Sequence, residues 1–349
     1  ASHLLDRQTK DYIERSSAFH KAESLRRQRI RIGTAIVAGM LVIGIGWYAW
    51  GVQNRILAEG LVNAMVTANP VELERLIDKE LPNHRSIADG LLRTLADENQ
   101  TPESKPGLHA RLGLLPVDKT VLESLQQTLI TIQEPEYLAL IVRTIKANQL
   151  TANLWSQFHD TTLEPDQRFR AGLTLANLEP DVSQWTGEDA SFLVERLVQS
   201  NPIYQSTYNE LLAPISQRLI EPLRVVFTAE SSSQVQQLAS ANAIAAFAKN
   251  QPELLPEFLT VATPEQYNIL YPGLADAADS RNTLSSILRT EPDADLPQSD
   301  RISLGIRRAG AAITLLRTGE RAGIFDIFRV TKDPESLSQF VARCKARGV

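Results

Sequence analysis

The side chains that could do chemistry are few in this sequence and lie far apart along it. The five histidines are His3, His20, His84, His109 and His159, and the only cysteine is Cys344. No histidine stands three or four positions from another histidine or from the cysteine, which is the spacing at which two ligands share one helix face. The pattern therefore predicts no metal site.

Each remaining candidate has a simpler interpretation. His109 lies in the apolar stretch LHARLGLL, which favours a hydrogen-bonded core histidine. Cys344 has no histidine near it in sequence, so we expect a solvent-facing structural thiol rather than a nucleophile. The acidic residues at 188–189 and 293–295 lack the spacing of an EF-hand loop and indicate solvated charge. Since no G-x-S-x-G motif occurs either, we predict no catalytic residue and no cofactor.

The composition indicates a folded chain with one large or two ordinary domains. Its 349 residues are 43% hydrophobic but only 6% aromatic, which favours helices packed through aliphatic side chains. Residues 1–31 contain eight Lys/Arg and four Asp/Glu, so the net charge of −5 leaves −9 on residues 32–349. Because nucleic-acid binding needs a basic surface, we predict no nucleic-acid partner.

Residues 32–54 form a run of 23 positions without a charged side chain. As a helix the run would extend about 34 Å, against about 30 Å of hydrocarbon in a bilayer. A buried core helix is one alternative, although core helices rarely stay apolar over so many turns. A signal peptide is another, but 31 residues precede the run and no small-residue cleavage pattern follows it. We predict a transmembrane helix at 32–54, with the lipid bilayer as its partner.

The charges that flank this run predict its orientation. Four arginines precede it, whereas only one basic residue, Arg55, follows it closely. The preceding arginines are Arg26, Arg27, Arg29 and Arg31. Because basic residues stay on the cytoplasmic side, we expect a single-pass membrane protein with a cytoplasmic N-terminus and residues 55–349 outside the cytoplasm.

Aromatic residues mark the other end of the run. Trp47, Tyr48 and Trp50 are spaced as an interfacial belt would be, so we assign them to the membrane interface together with the four arginines. Gly39 and Gly44 do not form a clean GxxxG pattern, which leaves homodimerisation open.

Beyond residue 54 the pattern is helical. A capping residue followed by proline predicts helix starts at Asn69-Pro70, Asn201-Pro202, Thr263-Pro264 and Asp333-Pro334. The best strand signal is RVVFT at 224–228, and it has no partner strand. Loops rich in proline and acidic residues are expected at 101–107, 179–190 and 291–300.

Four helical blocks rich in small residues are similar to one another. They are LHARLGLLPVD from Leu108, RFRAGLTLANLEPD from Arg168, QLASANAIAAFAKNQP from Gln237 and IRRAGAAITLLRTGE from Ile306. Their starts lie about 60–70 residues apart, which is longer than one HEAT pair. The fold is therefore expected to be all-α, either an irregular HEAT-like α-solenoid, which we favour, or a single irregular helical bundle.

These blocks, with LVERLVQSNPIYQSTYNELLAPISQRLIEPLRVVF and AAITLLRTGERAGIFDIFRVTKDPESLSQF, resemble the helical segment of large bacterial multidomain signalling proteins. In that family a protein kinase or a STAND-type NTPase precedes a membrane helix, and a formylglycine-generating-enzyme-like (sulfatase-modifying-factor) domain often comes last. The stretch DYIERSSAFHKAESLRRQR resembles the charged helix before the span. The resemblance covers most of residues 55–345 and implies that this chain is a piece of a longer protein of the bacterial inner membrane. None of the catalytic motifs of those domains is present here.

The sequence thus predicts a charged juxtamembrane helix at 1–31, the span at 32–54, first helices at 55–100 and a HEAT-like repeat domain at 101–349. We expect a non-catalytic, membrane-anchored scaffold or sensor segment that spaces or presents flanking domains and binds a protein or peptide. One alternative is a cytoplasmic adaptor that the apolar run tethers to the inner face of the membrane. The other alternative is an enzyme whose site is assembled from distant residues, in which His109 or His159 and pairs of acidic residues would supply the functional groups.

Overall fold

The computed structural model describes residues 7–101, 104–147, 154–274, 278–291, 296–321, 323–324 and 334–348. Within 7–37, only the side chain of Thr34 belongs to the described part. The described residues form α-helices joined by turns and short 3-10 segments, and no β-strand occurs among them. The expected all-α fold is confirmed.

The α-helices follow one another in chain order as α1 (Arg7–Thr67), α2 (Pro70–Arg75), α3 (Leu81–Glu98), α4 (Lys105–Leu114), α5 (Val121–Thr131), α6 (Pro135–Ala147), α7 (Trp155–His159), α8 (Pro165–Leu178), α9 (Gly187–Gln199), α10 (Gln205–Leu212), α11 (Ser216–Thr228), α12 (Gln234–Ala248), α13 (Leu255–Val261), α14 (Pro264–Leu270), α15 (Ala278–Arg289), α16 (Gln298–Arg317) and α17 (Glu335–Cys344). They fall into two compact units, Ala1–Glu98 and Asn99–Val349.

The first unit is dominated by α1, a single helix of 61 residues that would extend about 92 Å. Its C-terminal part packs against α3, and Ala58, Val62 and Met65 are buried there. A π-helical turn, Leu76–Glu80, joins α2 to α3. Residues 7–31 of the predicted juxtamembrane helix, the predicted span and the first residues after it therefore belong to one continuous helix.

Within the described part of the chain, we find no helix that is long and apolar enough to cross a membrane. The predicted span begins at residue 32, and its side chains as far as residue 37, apart from that of Thr34, lie outside the described part.

The second unit is built around helices that are buried on all sides. Gly107–Leu114 in α4, Ala171–Ala176 in α8 and Arg308–Leu315 in α16 are buried without interruption. Small residues permit this packing. A Cβ added at Gly310 would lie 2.1 Å from the main-chain oxygen of Thr260, so only glycine allows this approach of α16 to α13.

Two predicted helix starts are confirmed. Pro70 begins α2, where Asn69 Oδ1 accepts a hydrogen bond from the Glu72 N–H at 2.9 Å. Pro264 begins α14 behind a capping box formed by Thr263 and Gln266.

The start at Asn201-Pro202 is wrong. Asn201 Oδ1 accepts from the Ile203 N–H at 3.1 Å and holds a turn, so α10 begins three residues later at Gln205. Near the C-terminus, α17 begins at Glu335 rather than at Pro334, and Asp333 lies outside the described residues.

The strand signal at 224–228 is also wrong, because these residues end α11. Leu219, Leu223 and Phe227 are buried at helical spacing, while Val225 is exposed. The apolar period of 3.6 thus decides the structure over the β-propensity of two adjacent valines.

Candidate functional site

The predicted interface residues on α1 are only partly described. Trp47, Tyr48 and Trp50 have exposed fractions of 79%, 77% and 67%. The side chains of Arg26, Arg27, Arg29 and Arg31 lie outside the described part.

The apolar residues beside these aromatics are exposed in the described structure. All residues from 38 to 53 are exposed, and they include Met40, Leu41, Val42 and Ile43, whose exposed fractions are 60–70%. Four consecutive helical positions point around the whole circumference. The apolar surface of α1 therefore surrounds the helix, rather than forming one stripe.

His109 is a core histidine, as expected. It is buried, its ring stacks on that of Tyr137 at 5.4 Å between centroids, and its Nε2 lies 3.1 Å from the Tyr137 hydroxyl. Burial raises the pKa of Tyr137, which keeps the phenol neutral beside the imidazole.

His159 and Asp189 form a pair that the sequence analysis missed. His159 Nε2 lies 3.0 Å from Asp189 Oδ1, and Asp189 Oδ2 accepts from both the N–H and the hydroxyl of Thr186 at 2.9 Å. Asp189 is therefore neither solvated charge nor a free ligand. The histidine ring also packs against Trp155 and Phe158, with centroids 5.6 and 5.2 Å away. The pair ties the end of α7 to the start of α9.

The predictions on metal binding, on the cysteine thiol and on the acidic loop residues can be compared with the structure only where it describes these residues. Among the described residues there is no group of three or more His, Cys, Asp or Glu that could hold a metal ion. Cys344 is half-buried against the core around α16, so the expectation that its thiol faces solvent is only half right. Residues 293–295 lie outside the described part.

Each of the four similar blocks carries a long side chain that binds an earlier main-chain oxygen, and the block from Arg168 carries a second, because Arg168 donates to Phe158 at 3.0 Å. Arg170 in α8 donates to Ile130 at 2.9 Å, and Arg308 in α16 donates to Leu288 at 3.0 Å. Both acceptors lie in the last turn of a preceding helix, where main-chain oxygens lack helical partners.

The other two blocks make the same kind of contact. Arg111 in α4 donates to Asn99 at 2.7 Å, and Gln237 in α12 donates to Ala229, just after α11, at 2.8 Å. Burial lowers the pKa of Arg111 and of Arg170, since each guanidinium is held among protein atoms rather than water.

In the second unit, a groove of about 560 Å³ opens between α10 and α12. On one side α10 contributes Gln205, Ser206, Asn209 and Glu210, two adjacent pairs that stand one helical turn apart and share a face. The preceding turn adds Pro202.

On the α12 side, small side chains form the floor of the groove. Ala245 and Ala246 line it and leave the space that larger side chains would fill. Asn242 stands before them, and Lys249 and Asn250 stand just after the helix, all three exposed. One acidic and one basic side chain leave the groove close to neutral.

Asn209 differs from the other residues that line the groove in the burial and hydrogen bonding of its side chain. It is only 6% exposed, and its Oδ1 is buried without a hydrogen-bond partner in the described structure. Such an oxygen costs about 1–3 kcal/mol of stability. By contrast, Asn177 in neighbouring α8 donates to the main-chain oxygens of Leu173 and Leu211 at 3.0 and 2.6 Å.

Comparison with known proteins gives no relative. The chain matches no known family of sequences, no curated protein and no solved structure.

No pattern of metal ligands or catalytic groups marks the groove in the sequence. The available signal was a polar residue inside an alanine-rich helix, Asn242, together with Gln205 and Asn209 one turn apart.

Proposed function

We propose that this chain is a non-catalytic, membrane-anchored helical scaffold. The anchor is the apolar part of α1, residues 32–54. Residues 55–349 lie outside the cytoplasm of a bacterial cell, where they space or present flanking domains and bind a protein or peptide. The span would convey binding or clustering to a cytoplasmic domain.

The observation that carries the proposal is the exposed apolar circumference of α1. Soluble proteins rarely leave contiguous apolar surface of this extent in water. The large apolar side chains of residues 40–45 and 47–52 are exposed in the described structure, and lipid would cover every face of the helix equally. The four arginines before the run and the aromatics near its end agree with a membrane flank and an interface.

The recurring side-chain contacts support a repeat architecture for the second unit. The four similar blocks each bind a main-chain oxygen that precedes them, which favours a stack of related helical units over an irregular bundle. The groove between α10 and α12 gives such a stack a surface for a partner. The family resemblance adds the proposal that an NTPase or kinase precedes this segment and a formylglycine-generating-enzyme-like domain follows it.

Flotation with phospholipid vesicles tests the anchor. We expect the full chain to float with the vesicles and to resist extraction at alkaline pH. A double variant, Val42→Lys with Ile45→Glu, should remain with the soluble fraction because two charges in the hydrocarbon are costly.

The matched control places the same charges elsewhere. Val235 and Val341 are exposed valines of the second unit, at 62% and 64%. Val235→Lys with Val341→Glu should float like the unaltered chain. If both double variants behave alike, the anchor is not in α1.

A further inference from the structure

We propose that the groove between α10 and α12 binds the main chain of an extended peptide, about four residues long, through asparagine side chains. This deepens the proposed function, on which it rests, by naming the ligand class of the scaffold. No flanking domain is needed for the site.

The chemistry of the groove selects a main chain. A carboxamide carries a donor and an acceptor in one plane, so it can pair with the N–H and C=O of a peptide. Asn209, Asn242 and Asn250 line the groove, and the Oδ1 of Asn209 is buried without a hydrogen-bond partner in the described structure. A half-turn about its χ2 angle exchanges donor and acceptor, so the side chain can offer either group to the ligand.

The shape of the groove also fits a peptide. Asn242 and Asn250 stand eight positions apart on α12 and the turn that follows it, and a helical rise over these positions corresponds to about 12 Å. An extended chain rises about 3.3 Å per residue, so about four residues span this distance. The alanine floor at Ala245 and Ala246 lets a main chain approach α12 closely.

Other ligand classes lack their recognition groups. None of the described lining residues is aromatic, so neither bases nor sugar rings have a stacking surface. Lys249 is the one cation on the described lining and Glu210 opposes it, which disfavours a phosphate or a polyanion. The lining also offers no large aliphatic side chain to hold an apolar molecule.

Panning a random decapeptide display library on the full chain in detergent micelles tests the inference. A parallel selection uses Ala246→Trp, which fills the floor. Peptides enriched on the unaltered chain and not on the filled one are synthesised, and their Kd is measured by fluorescence polarisation. We expect Asn209→Ala to weaken binding at least tenfold. N-methylation of two adjacent central amides of the peptide should also weaken it at least tenfold, because it removes main-chain donors.

Two controls keep the result interpretable. Asn282 is an exposed asparagine of α15, outside the groove, and Asn282→Ala should change Kd less than twofold. Circular dichroism and the flotation assay are run on every variant, so a fold or anchor defect is seen separately.

The inference is overturned if the filled variant enriches the same peptides, or if none is enriched on the unaltered chain. It is also overturned if Kd is indifferent to both Asn209→Ala and N-methylation. A chain that binds peptides as expected but fails to float would instead overturn the membrane anchor and leave the groove intact.

Discussion

Arg308 holds Leu288 by a hydrogen bond of 3.0 Å from its Nε to the main-chain oxygen at the end of α15. Arg308 is 9% exposed, and its Nη1 also donates to the hydroxyl of Ser336 in α17 at 3.2 Å. One buried guanidinium therefore joins three consecutive helices. Because the same contact recurs between Arg170 and Ile130, it is a structural rule of this unit.

The first prediction concerns this joint. Arg308→Leu leaves a buried main-chain oxygen without its charged donor, which should lower the free energy of unfolding by about 2 kcal/mol or more. The neighbouring Arg307 is exposed, so Arg307→Leu is the control and should change stability by less than about 0.5 kcal/mol. Urea unfolding followed by circular dichroism measures both. Equal midpoints for the two variants would refute the role of Arg308.

The second prediction concerns the close approach of α16 to α13. Gly310→Ala should cost about 1–3 kcal/mol, since its Cβ would collide with the main chain of Thr260, which cannot rotate away as a side chain would. Gly187 begins α9 with open space around it, so Gly187→Ala should be neutral or slightly stabilising. Thermal unfolding of the two variants decides the matter. A melting temperature unchanged by Gly310→Ala would mean that the helices are further apart.

Part of the fold could be predicted from the sequence. Apolar periodicity and proline caps were enough for the all-α class and for the starts of α2 and α14. The similar blocks were visible as small-residue helices, yet their shared feature was not recognised. The sequence does contain one shared spacing, since a glycine stands two positions after each of Arg111, Arg170 and Arg308. This spacing does not show which main-chain oxygen each arginine binds, because tertiary packing decides which oxygen lies opposite the side chain.

The other differences between the sequence predictions and the structure also come from interactions that a local sequence pattern does not report. Asn201-Pro202 carries a helix-start pattern, but the asparagine side chain closes a turn instead, and local hydrogen bonding competes with helix initiation at such residues. His159 and Asp189 are 30 positions apart, so no local spacing could predict that they pair. The groove is a space between two helices, and a sequence pattern reports side chains rather than the gaps that they leave.

A third prediction separates binding from stability at Asn209. Asn209→Leu removes a buried oxygen that has no partner, so the variant should be more stable by up to about 1 kcal/mol. Asn177→Leu removes two hydrogen bonds to main-chain oxygens and should be destabilising by about 1–3 kcal/mol. Urea midpoints compare these variants directly. A large loss of stability in Asn209→Leu would mean that its carboxamide serves the fold rather than a ligand.

A fourth prediction concerns the C-terminal end of the second unit. Arg347 is 1% exposed, donates to the main-chain oxygens of Leu259 and Ala262, and lies over the Tyr267 ring at 5.1 Å. Burial lowers the pKa of Arg347 to about 10, so the side chain still carries its charge at neutral pH.

Arg347→Ala should therefore expose α13 and lower the free energy of unfolding by about 2–4 kcal/mol. Lys345 is exposed on the same turn, and Lys345→Ala should leave stability within about 0.5 kcal/mol of the unaltered chain. Hydrogen exchange at α13 and α14 gives the local readout. Protection that persists in Arg347→Ala would show that the arginine only fills space.

The topology of the chain in a cell tests the central claim most directly. Because Cys344 is half-buried, it is replaced by serine, and single cysteines are introduced at Ser231, which is exposed between α11 and α12, and at Ser17 before the predicted span. Bacteria with a permeabilised outer membrane are treated with a membrane-impermeant maleimide, and the labelling is compared with that of a detergent lysate. We predict that Ser231→Cys is labelled in intact cells and that Ser17→Cys is labelled only after lysis. Labelling of Ser231→Cys only after lysis would place the helical unit in the cytoplasm and contradict this account.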